Sequence, residues 1–539
     1  MVIGRIGRIG PILNQPDRSD QPDRSNQFDR QGSHPNSTSN PDRNVMSNAT
    51  NDNPTLFVDL DGTLVATDTL WESIMRVMKN KPAAIPLMPL WVLKGKPYFK
   101  EQIAKRSDLT GGDLPYRDEV LQYLRAEKQA GRELVLATAS HRSMANSVVN
   151  HFGEEGLFDQ TIATDGPVNR SKEGKLESIR EMIGPDAKFE YMGNSKDDLP
   201  IWKHADRCHV VDAPSSVLKE VQSTCNVGEV IQPKKSKAKS FIKAMRVHQW
   251  SKNALLLVPM LTSHSYSDSA LWLPMFLALI AYSFAASSMY IFNDLLDLPS
   301  DRKHAKKCKR PFAAGNLSIP VGLFLATSLL IGSLAMAYLL LPINFFGLLL
   351  FYVCMTQLYS IDLKRRLLID VIVLAAFYSL RVLAGAAAIE IEVTFWLLSF
   401  SMFLFFSLAL VKRYTELLSY SNKETGKATG RGYNTGDIEI IRTVGIACGC
   451  MAVLVFALYI DGITNHAGKG EPNVYHYAEP KYLWMICPIL FYGIIRIWFL
   501  AHRGQLDHDP VTFALKDIRS HILAVLIGIF LILAIKGGP

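Results

Sequence analysis

Two groups of acidic and amide residues have a spacing that can do chemistry. In the first, Asp59-Leu60-Asp61-Gly62-Thr63 follows the apolar run Leu56-Phe57-Val58. Residues two apart on a strand face the same side, so both carboxylates emerge together at its C-terminal end. One can attack phosphorus while the other handles the leaving-group proton, and a divalent cation offsets the crowded negative charge. A solvated Asp-x-Asp-Gly turn is the plain alternative. In the second group, Asn293, Asp297 and Asp301 are spaced by four, so on a helix they share one face. Oxygen-only ligands suit Mg²⁺, which takes few carboxylates and leaves room for substrate phosphates. A solvated cap at a helix end is the alternative here.

The first group needs a sheet to hold it. Apolar strand-like runs recur at Leu56–Leu60, Glu133–Thr138, Phe189–Asn194 and Cys208–Asp212, with helical stretches between them. That alternation predicts an α/β domain, a doubly wound parallel sheet, over residues 54–230. Ligands of such sheets bind at the carboxyl ends of the strands. Three further elements come in order: Thr138, whose hydroxyl can hold a phosphate oxygen; Lys175 or Lys172, which can pair with the phosphate; and Gly193-Asn194-Ser195-Lys196-Asp197-Asp198, which offers metal ligands.

Together these motifs resemble the haloacid dehalogenase (HAD) superfamily of phosphatases over about residues 54–215. The resemblance implies Asp59 as nucleophile, Asp61 as acid/base, and Asp59, Asp61, Asn194 and Asp198 around Mg²⁺. One departure stands out. The family usually has Gly-Asp where this chain has Gly193-Asn194. Asparagine brings a carbonyl oxygen but no charge, which weakens or abolishes catalysis. Residues 67–125 form a helical insert in the place of a substrate-selecting cap. Its apolar run Ile85–Leu93 is read as the cap's own core, with membrane contact as the alternative.

The second group needs a membrane. The chain has 539 residues, 48% hydrophobic and 20% charged, with a mean hydropathy of +0.10. From about Trp250 onward the apolar residues form runs long enough to span a bilayer, which excludes a purely soluble enzyme. Nine candidate helices lie near 253–267, 271–292, 318–341, 343–360, 368–389, 394–411, 438–460, 482–500 and 519–536, the first broken by Pro259. With the N-terminus inside, the inner connections hold 24 Lys and Arg and the outer ones 3. That bias places the soluble half in the cytoplasm and the C-terminus outside. It also accounts for the net charge of +8 without nucleic acid. Seven cysteines without a C-x-x-C pair speak against a disulfide framework or a zinc site. The expected organisation is a disordered tail (1–53), the α/β domain (54–230), a basic linker (231–249) and an all-α polytopic membrane domain (250–539). The tail repeats Gln15-Pro16-Asp17-Arg18-Ser19 at Gln21 and has little apolar surface to bury.

Asn293-Asp294-x-x-Asp297-x-x-x-Asp301, followed by Lys309-Arg310-Pro311, resembles the UbiA superfamily of intramembrane transferases. Members have nine helices around a cavity. Arg246–Asn253, Tyr359–Lys364, Asp370-Val371 and Lys412–Leu417 narrow the resemblance to its decaprenyl-phosphate phosphoribosyltransferase branch. Such enzymes move 5-phosphoribose from phosphoribosyl diphosphate (PRPP) onto a polyprenyl phosphate. The resemblance implies catalytic Asp297 and Asp301, a Mg²⁺ site of Asn293, Asp297 and Asp301, and substrate contacts from Lys252, Asn253, Arg310, Tyr359, Lys364, Arg381, Lys412 and Arg413. Prenyltransferases of the superfamily usually carry a second Asp-x-x-x-Asp ladder. Here Asp362 and Asp370 are eight apart and Lys364 stands between them. Arg381 and Arg496 lie inside apolar helices, where ionisable residues are functional candidates by default; Arg496, near the inner end, is also placed to snorkel.

The expected function is therefore phosphoribosyl transfer in the membrane, with a cytoplasmic HAD domain that dephosphorylates the product. The alternatives are a prenyltransferase that joins a prenyl diphosphate to an aromatic or lipid acceptor, a catalytically dead HAD scaffold, and a transporter, against which the acidic ladder weighs.

Overall fold

The computed structural model describes residues 53–164, 172–232, 236–421, 432–467, 477–506 and 509–536. Residues 1–52 of the expected tail, and Lys234-Lys235 of the basic linker, lie outside the described residues.

Six strands form the soluble half's sheet: β1 (Thr55–Val58), β2 (Leu134–His141), β3 (Gln160–Thr164), β4 (Phe189–Gly193), β5 (Arg207–Val211) and β6 (Val227–Ile231). They are all parallel, in the order β3-β2-β1-β4-β5-β6. The central strands are buried on both faces, which is why they read as mostly apolar runs; Glu190 of β4 is buried against Arg132 and His209. The edge strand β6 is partly exposed and has no such run. From β1 the chain adds β2 and β3 on one side, then returns to add β4 on the other. The switch point lies between β1 and β4, and there the loops part to leave a crevice.

The insert after β1 contains α1 (Thr69–Asn80), α2 (Met88–Leu93) and α3 (Lys96–Ala104). Asp68 starts α1 by accepting hydrogen bonds from the N–H groups of Leu70 and Trp71. The run Ile85–Leu93 is not the cap's core. Trp91 is buried, but Ile85, Leu87, Leu90, Val92 and Leu93 are exposed. Three prolines, at 82, 86 and 89, keep this stretch in short helical pieces that cannot fold one wide face inward.

Among the described residues, eight helices are long and apolar enough to cross a membrane. They contain α4 (Trp272–Leu296), α5 (Ile319–Leu340), α6 (Ile343–Ile361), α7 (Ile369–Ala388), α8 (Phe395–Ser421), α9 (Ile438–Ala467), α10 (Ile486–His502) and α11 (Ile518–Lys536). The ninth expected span, near 253–267, is instead a 3₁₀ stretch, Val247–Leu257, followed by one short helix, Val258–Thr262. Pro259 lacks the N–H that a continuous helix would use there. The segment runs antiparallel to α4. Arg246 meets Asp294, Trp250 donates to the Ser287 hydroxyl and Asn253 donates to Ser283.

The two halves pack together through α1. Met75 joins the apolar cluster of Ile291, Leu295, Leu298 and Phe312. Beside it, the Arg302 guanidinium forks onto Glu72 at 2.5 and 3.2 Å and donates to the Asp113 carbonyl at 2.8 Å.

Candidate functional sites

In the soluble half, Asp59 leaves β1 with its carboxylate buried. Lys175 Nζ, from the helix Glu173–Ile183, lies 2.8 Å from Asp59 Oδ1 and 2.9 Å from the Tyr191 hydroxyl. Tyr191 donates to Asp198 Oδ1 at 2.9 Å. The other oxygen of Asp198 accepts from the backbone N–H groups of Asn194 and Ser195. Asp198 therefore fixes the β4 loop. Burial pushes the Asp59 carboxyl up to about 7, against the pull of Lys175 and with Asp198 and Asp61 adding to the rise. Asp61 points away from Lys175: it accepts from the Thr69 N–H at 2.7 Å and from Ser140 Oγ at 2.5 Å. Gly62 turns the loop at φ +80°, and a Cβ there would lie 2.1 Å from Asn194 Nδ2. Asn194 therefore sits directly on the Asp59–Gly62 loop.

Asp59, Asp61, Lys175, Asn194 and Asp198 line one cavity of about 570 Å³. Of the two candidate lysines, Lys175 reaches Asp59, while Lys172 lies at the rim, 3.4 Å from Asp197. Thr138 is fully buried, and its hydroxyl accepts from the Ser140 N–H. Sequence reasoning missed Ser140, Tyr191 and Lys100. Lys100 comes from α3, lines the cavity and donates to the Ala139 carbonyl. A serine, a tyrosine and a surface lysine carry no motif, and only the fold brings them in. The donors Asp59, Asp61, Asn194 and Asp198 are all oxygens, the chemistry of a hard divalent cation. Among the described residues, no three His, Cys, Asp or Glu side chains stand close enough to form a metal centre unaided.

In the membrane half, α4 ends at Leu296 and Asp297 caps it; the chain restarts as the short helix Leu298–Arg302, with Pro299 in its first turn. The acidic ladder is therefore not one unbroken helix face. Asp301 shares the Arg310 guanidinium with Asp294, at 2.5 and 3.0 Å, and Asp294 also takes Arg246 at 2.5 Å. Asp297 instead meets Lys79 of α1 at 2.7 Å, with Lys364 at 3.7 Å. Burial raises the Asp297 carboxyl, but the hydrogen bond from Lys79 and the charge of Lys364 outweigh it and hold it below its ordinary value. Asn293 Oδ1 is buried without a hydrogen-bond partner. An orphaned carbonyl oxygen one turn from Asp297 fits an oxygen-ligated cation.

Asp509, in the connection before α11, is a second junction that sequence reasoning missed. It takes Lys252 at 2.8 Å, Lys412 at 3.4 Å and the Tyr378 hydroxyl at 3.2 Å. Burial works against its charge, yet Lys412 and Lys252 keep it well below the usual carboxylate range. Beside Lys252, Asn253 Oδ1 accepts from Arg381 Nε at 3.0 Å. The Arg381 guanidinium faces the rings of Tyr282, Tyr352 and Tyr378 at 5.2, 5.4 and 5.8 Å. Tyr359 packs against Phe377. Arg413, expected at the substrate, is fully buried and braced by Asp370 at 2.8 Å and by Glu416. Asp370 also accepts from the Tyr433 hydroxyl at 2.6 Å. Arg496 forks onto Asp517 at 2.7 and 2.9 Å.

Comparison with known proteins agrees with this division. The UbiA prenyltransferase family model matches residues 255–426, and the haloacid dehalogenase-like hydrolase model matches residues 56–203. The chain is 33% identical to the uncharacterized protein y4nM of Sinorhizobium fredii, over 89% of this chain and 90% of that one. It is 31% identical to nodulation protein NoeC of Azorhizobium caulinodans, over 52% of this chain and 87% of that one. It is 30% identical to decaprenyl-phosphate phosphoribosyltransferase of Mycobacterium tuberculosis, over 55% of this chain and 94% of that one. The chain belongs to the UbiA family of membrane transferases and carries a haloacid dehalogenase-like domain ahead of its membrane helices.

Proposed function

We propose that the membrane half transfers 5-phosphoribose from PRPP to a polyprenyl phosphate, and that the HAD-like domain then removes the 5-phosphate from the lipid product. The cation belt carries this reading. Lys79 and Lys364 flank Asp297, Arg246 and Arg310 flank Asp294, and Lys252 and Lys412 flank Asp509. Two anionic substrates repel each other, and such a belt offsets that repulsion. The 30% identity to a decaprenyl-phosphate phosphoribosyltransferase supports the same donor and acceptor classes. A second acidic ladder for a prenyl diphosphate has little support here. Asp370 is sealed under Arg413 and Tyr433, and Asp362 pairs with Arg366.

In this reading Asn293, Asp297 and Asp301 would hold Mg²⁺, which supplies charge neutralisation at the diphosphate leaving group. Lys364 and Lys79 bind donor phosphates, and Arg310 holds Asp301 in place. Lys252 and Lys412, held together by Asp509, receive the acceptor phosphate, whose oxygen attacks the anomeric carbon as diphosphate departs. In the soluble cleft Asp59 attacks the 5-phosphate, Asp61 protonates the leaving ribose oxygen, and Lys175 offsets charge on the transferring phosphoryl group; a water that gives its proton to Asp61 then attacks the phosphorus, releasing inorganic phosphate and free Asp59. Asn194 would share the cation of that site. The protein is placed in the cytoplasmic membrane with both sites on the cytoplasmic side, as the distribution of Lys and Arg supports.

The test is to incubate membranes with labelled PRPP and polyprenyl phosphates, or with labelled prenyl diphosphate, and to extract the lipids. Label should enter lipid from PRPP and only when polyprenyl phosphate is present. Label entering from prenyl diphosphate alone would replace this reading with prenyl transfer.

A further inference from the structure

The cavity at Asp59 is not closed by the soluble half alone. Asn316, Ser318 and Val321 from the membrane half, and Phe241 from the linker, line it together with Asp59 and Lys100. The two halves meet there at close range. Gly315 has φ +67°, and a Cβ on it would lie 2.4 Å from the Ala66 Cβ, in the loop that follows the Asp59 motif. The wall is the entry to α5, one of the membrane-crossing helices. Val321 lines the cavity, and Phe324, one turn later, is 76% exposed. At 1.5 Å per residue the step from cleft wall to lipid-facing flank is about 4.5 Å.

We infer that the membrane half builds one wall of this cleft, and that the cleft thereby takes a phosphomonoester carried on a bilayer lipid, with Asn316 as a substrate-contacting residue. The inference rests on the phosphatase reading above. The phosphoryl group sits at Asp59 among Lys175, Lys172 and Lys100, and the lipid chain leaves along α5. A soluble sugar phosphate meets Asn316 but gains nothing from α5 beyond it.

The test uses the full chain in lipid nanodiscs. Phosphate release is measured from the lipid product, made in place from labelled PRPP and polyprenyl phosphate, and from soluble ribose 5-phosphate. Asn316→Asp keeps the size of the side chain but sets a carboxylate beside the phosphate. Release from the lipid should fall about ten-fold or more, while transfer of label into lipid holds at the wild-type level. Gly315→Val should also lower release by pushing the halves apart, but it disturbs the Lys79–Asp297 contact and hence transfer as well, so Asn316→Asp decides the matter. Unchanged lipid hydrolysis in Asn316→Asp overturns the inference. Absence of Asp59-dependent hydrolysis of either ester by the wild type defeats the phosphatase reading itself, and the inference with it.

A separate observation places the cap on the bilayer. Lys79 is tied to Asp297 at the end of α4, and three residues later the chain enters Pro82–Leu93, which carries no charge and exposes Ile85, Leu87, Leu90, Val92 and Leu93. Leu93 is 83% exposed. So dense an apolar surface beside a membrane helix end fits the headgroup–acyl boundary, and we propose that this segment lies in the bilayer surface. A photo-crosslinking amino acid at position 93 in nanodiscs should label lipid, while one at the exposed position 119 on the soluble half should not. Crosslinking from position 93 to protein alone, or to neither, would overturn the assignment.

Discussion

Lys79 Nζ lies 2.7 Å from Asp297 Oδ1, although 218 residues separate them and they belong to different halves of the chain. Neither side chain is fully buried, so the pair contributes only about 0–1 kcal/mol to stability. Its place matters more than its strength. A cation from the HAD-like domain completes the charge around a residue of the UbiA acidic ladder.

Lys79→Ala should therefore leave the protein inserted and folded but raise the apparent KM for PRPP, with less effect on the acceptor. Lys364→Ala should act in the same direction. Loss of one charge-assisted hydrogen bond costs about 1.5–3 kcal/mol, or roughly 10- to 150-fold in binding. Steady-state transfer assays at varied PRPP check both variants. Unchanged PRPP dependence would remove these lysines from the donor site.

Asp297→Ala should abolish transfer in membranes where the variant accumulates at the wild-type level. Chelation of divalent cations should do the same to the wild type, and added Mg²⁺ should restore the wild type alone. Near wild-type turnover of Asp297→Ala would exclude a cation role for this residue.

Asp509→Asn should reduce transfer without unfolding the protein. Asp509 holds Lys252 and Lys412 together and accepts from the Tyr378 hydroxyl. With the charge gone, the two lysines repel and lose their shared position. The expected signature is a raised KM for polyprenyl phosphate with PRPP dependence little changed.

Arg413→Ala should act on stability. Arg413 and Asp370 are both fully buried, and removing one partner of such a pair costs about 3–5 kcal/mol. Loss of folded protein, seen as reduced detergent-extractable monodisperse material, should accompany any loss of activity. A well-folded variant with a specific substrate defect would return Arg413 to the substrate site.

The sequence made some features plain and hid others for identifiable reasons. The central strands and long membrane helices were legible because burial on both faces, or in lipid, leaves runs that are mostly apolar. Asp59 and Asp61 were legible because a strand fixes their spacing. In the span near 253–267 the break at Pro259 was legible, but nothing in its apolar content signals the 3₁₀ stretch that precedes it. The ladder at 293, 297 and 301 was read as one helix face, and Pro299 divides it. Asp509 and Lys79 went unnoticed because their partners, Lys252 and Asp297, are more than 200 residues away. Arg413 lies next to Lys412, and spacing alone could not tell the exposed neighbour from the buried one.

The central claim is that one chain transfers a phosphoribosyl group to lipid and then removes its phosphate. Mass spectrometry of the extracted lipid product, compared between wild type and Asp59→Asn, tests it most directly. The wild type should yield polyprenyl-phosphoryl-ribose, and Asp59→Asn should yield the same lipid heavier by one phosphate, at an undiminished rate of transfer. Identical 5-phosphorylated lipid from both proteins would contradict the coupling of the two sites.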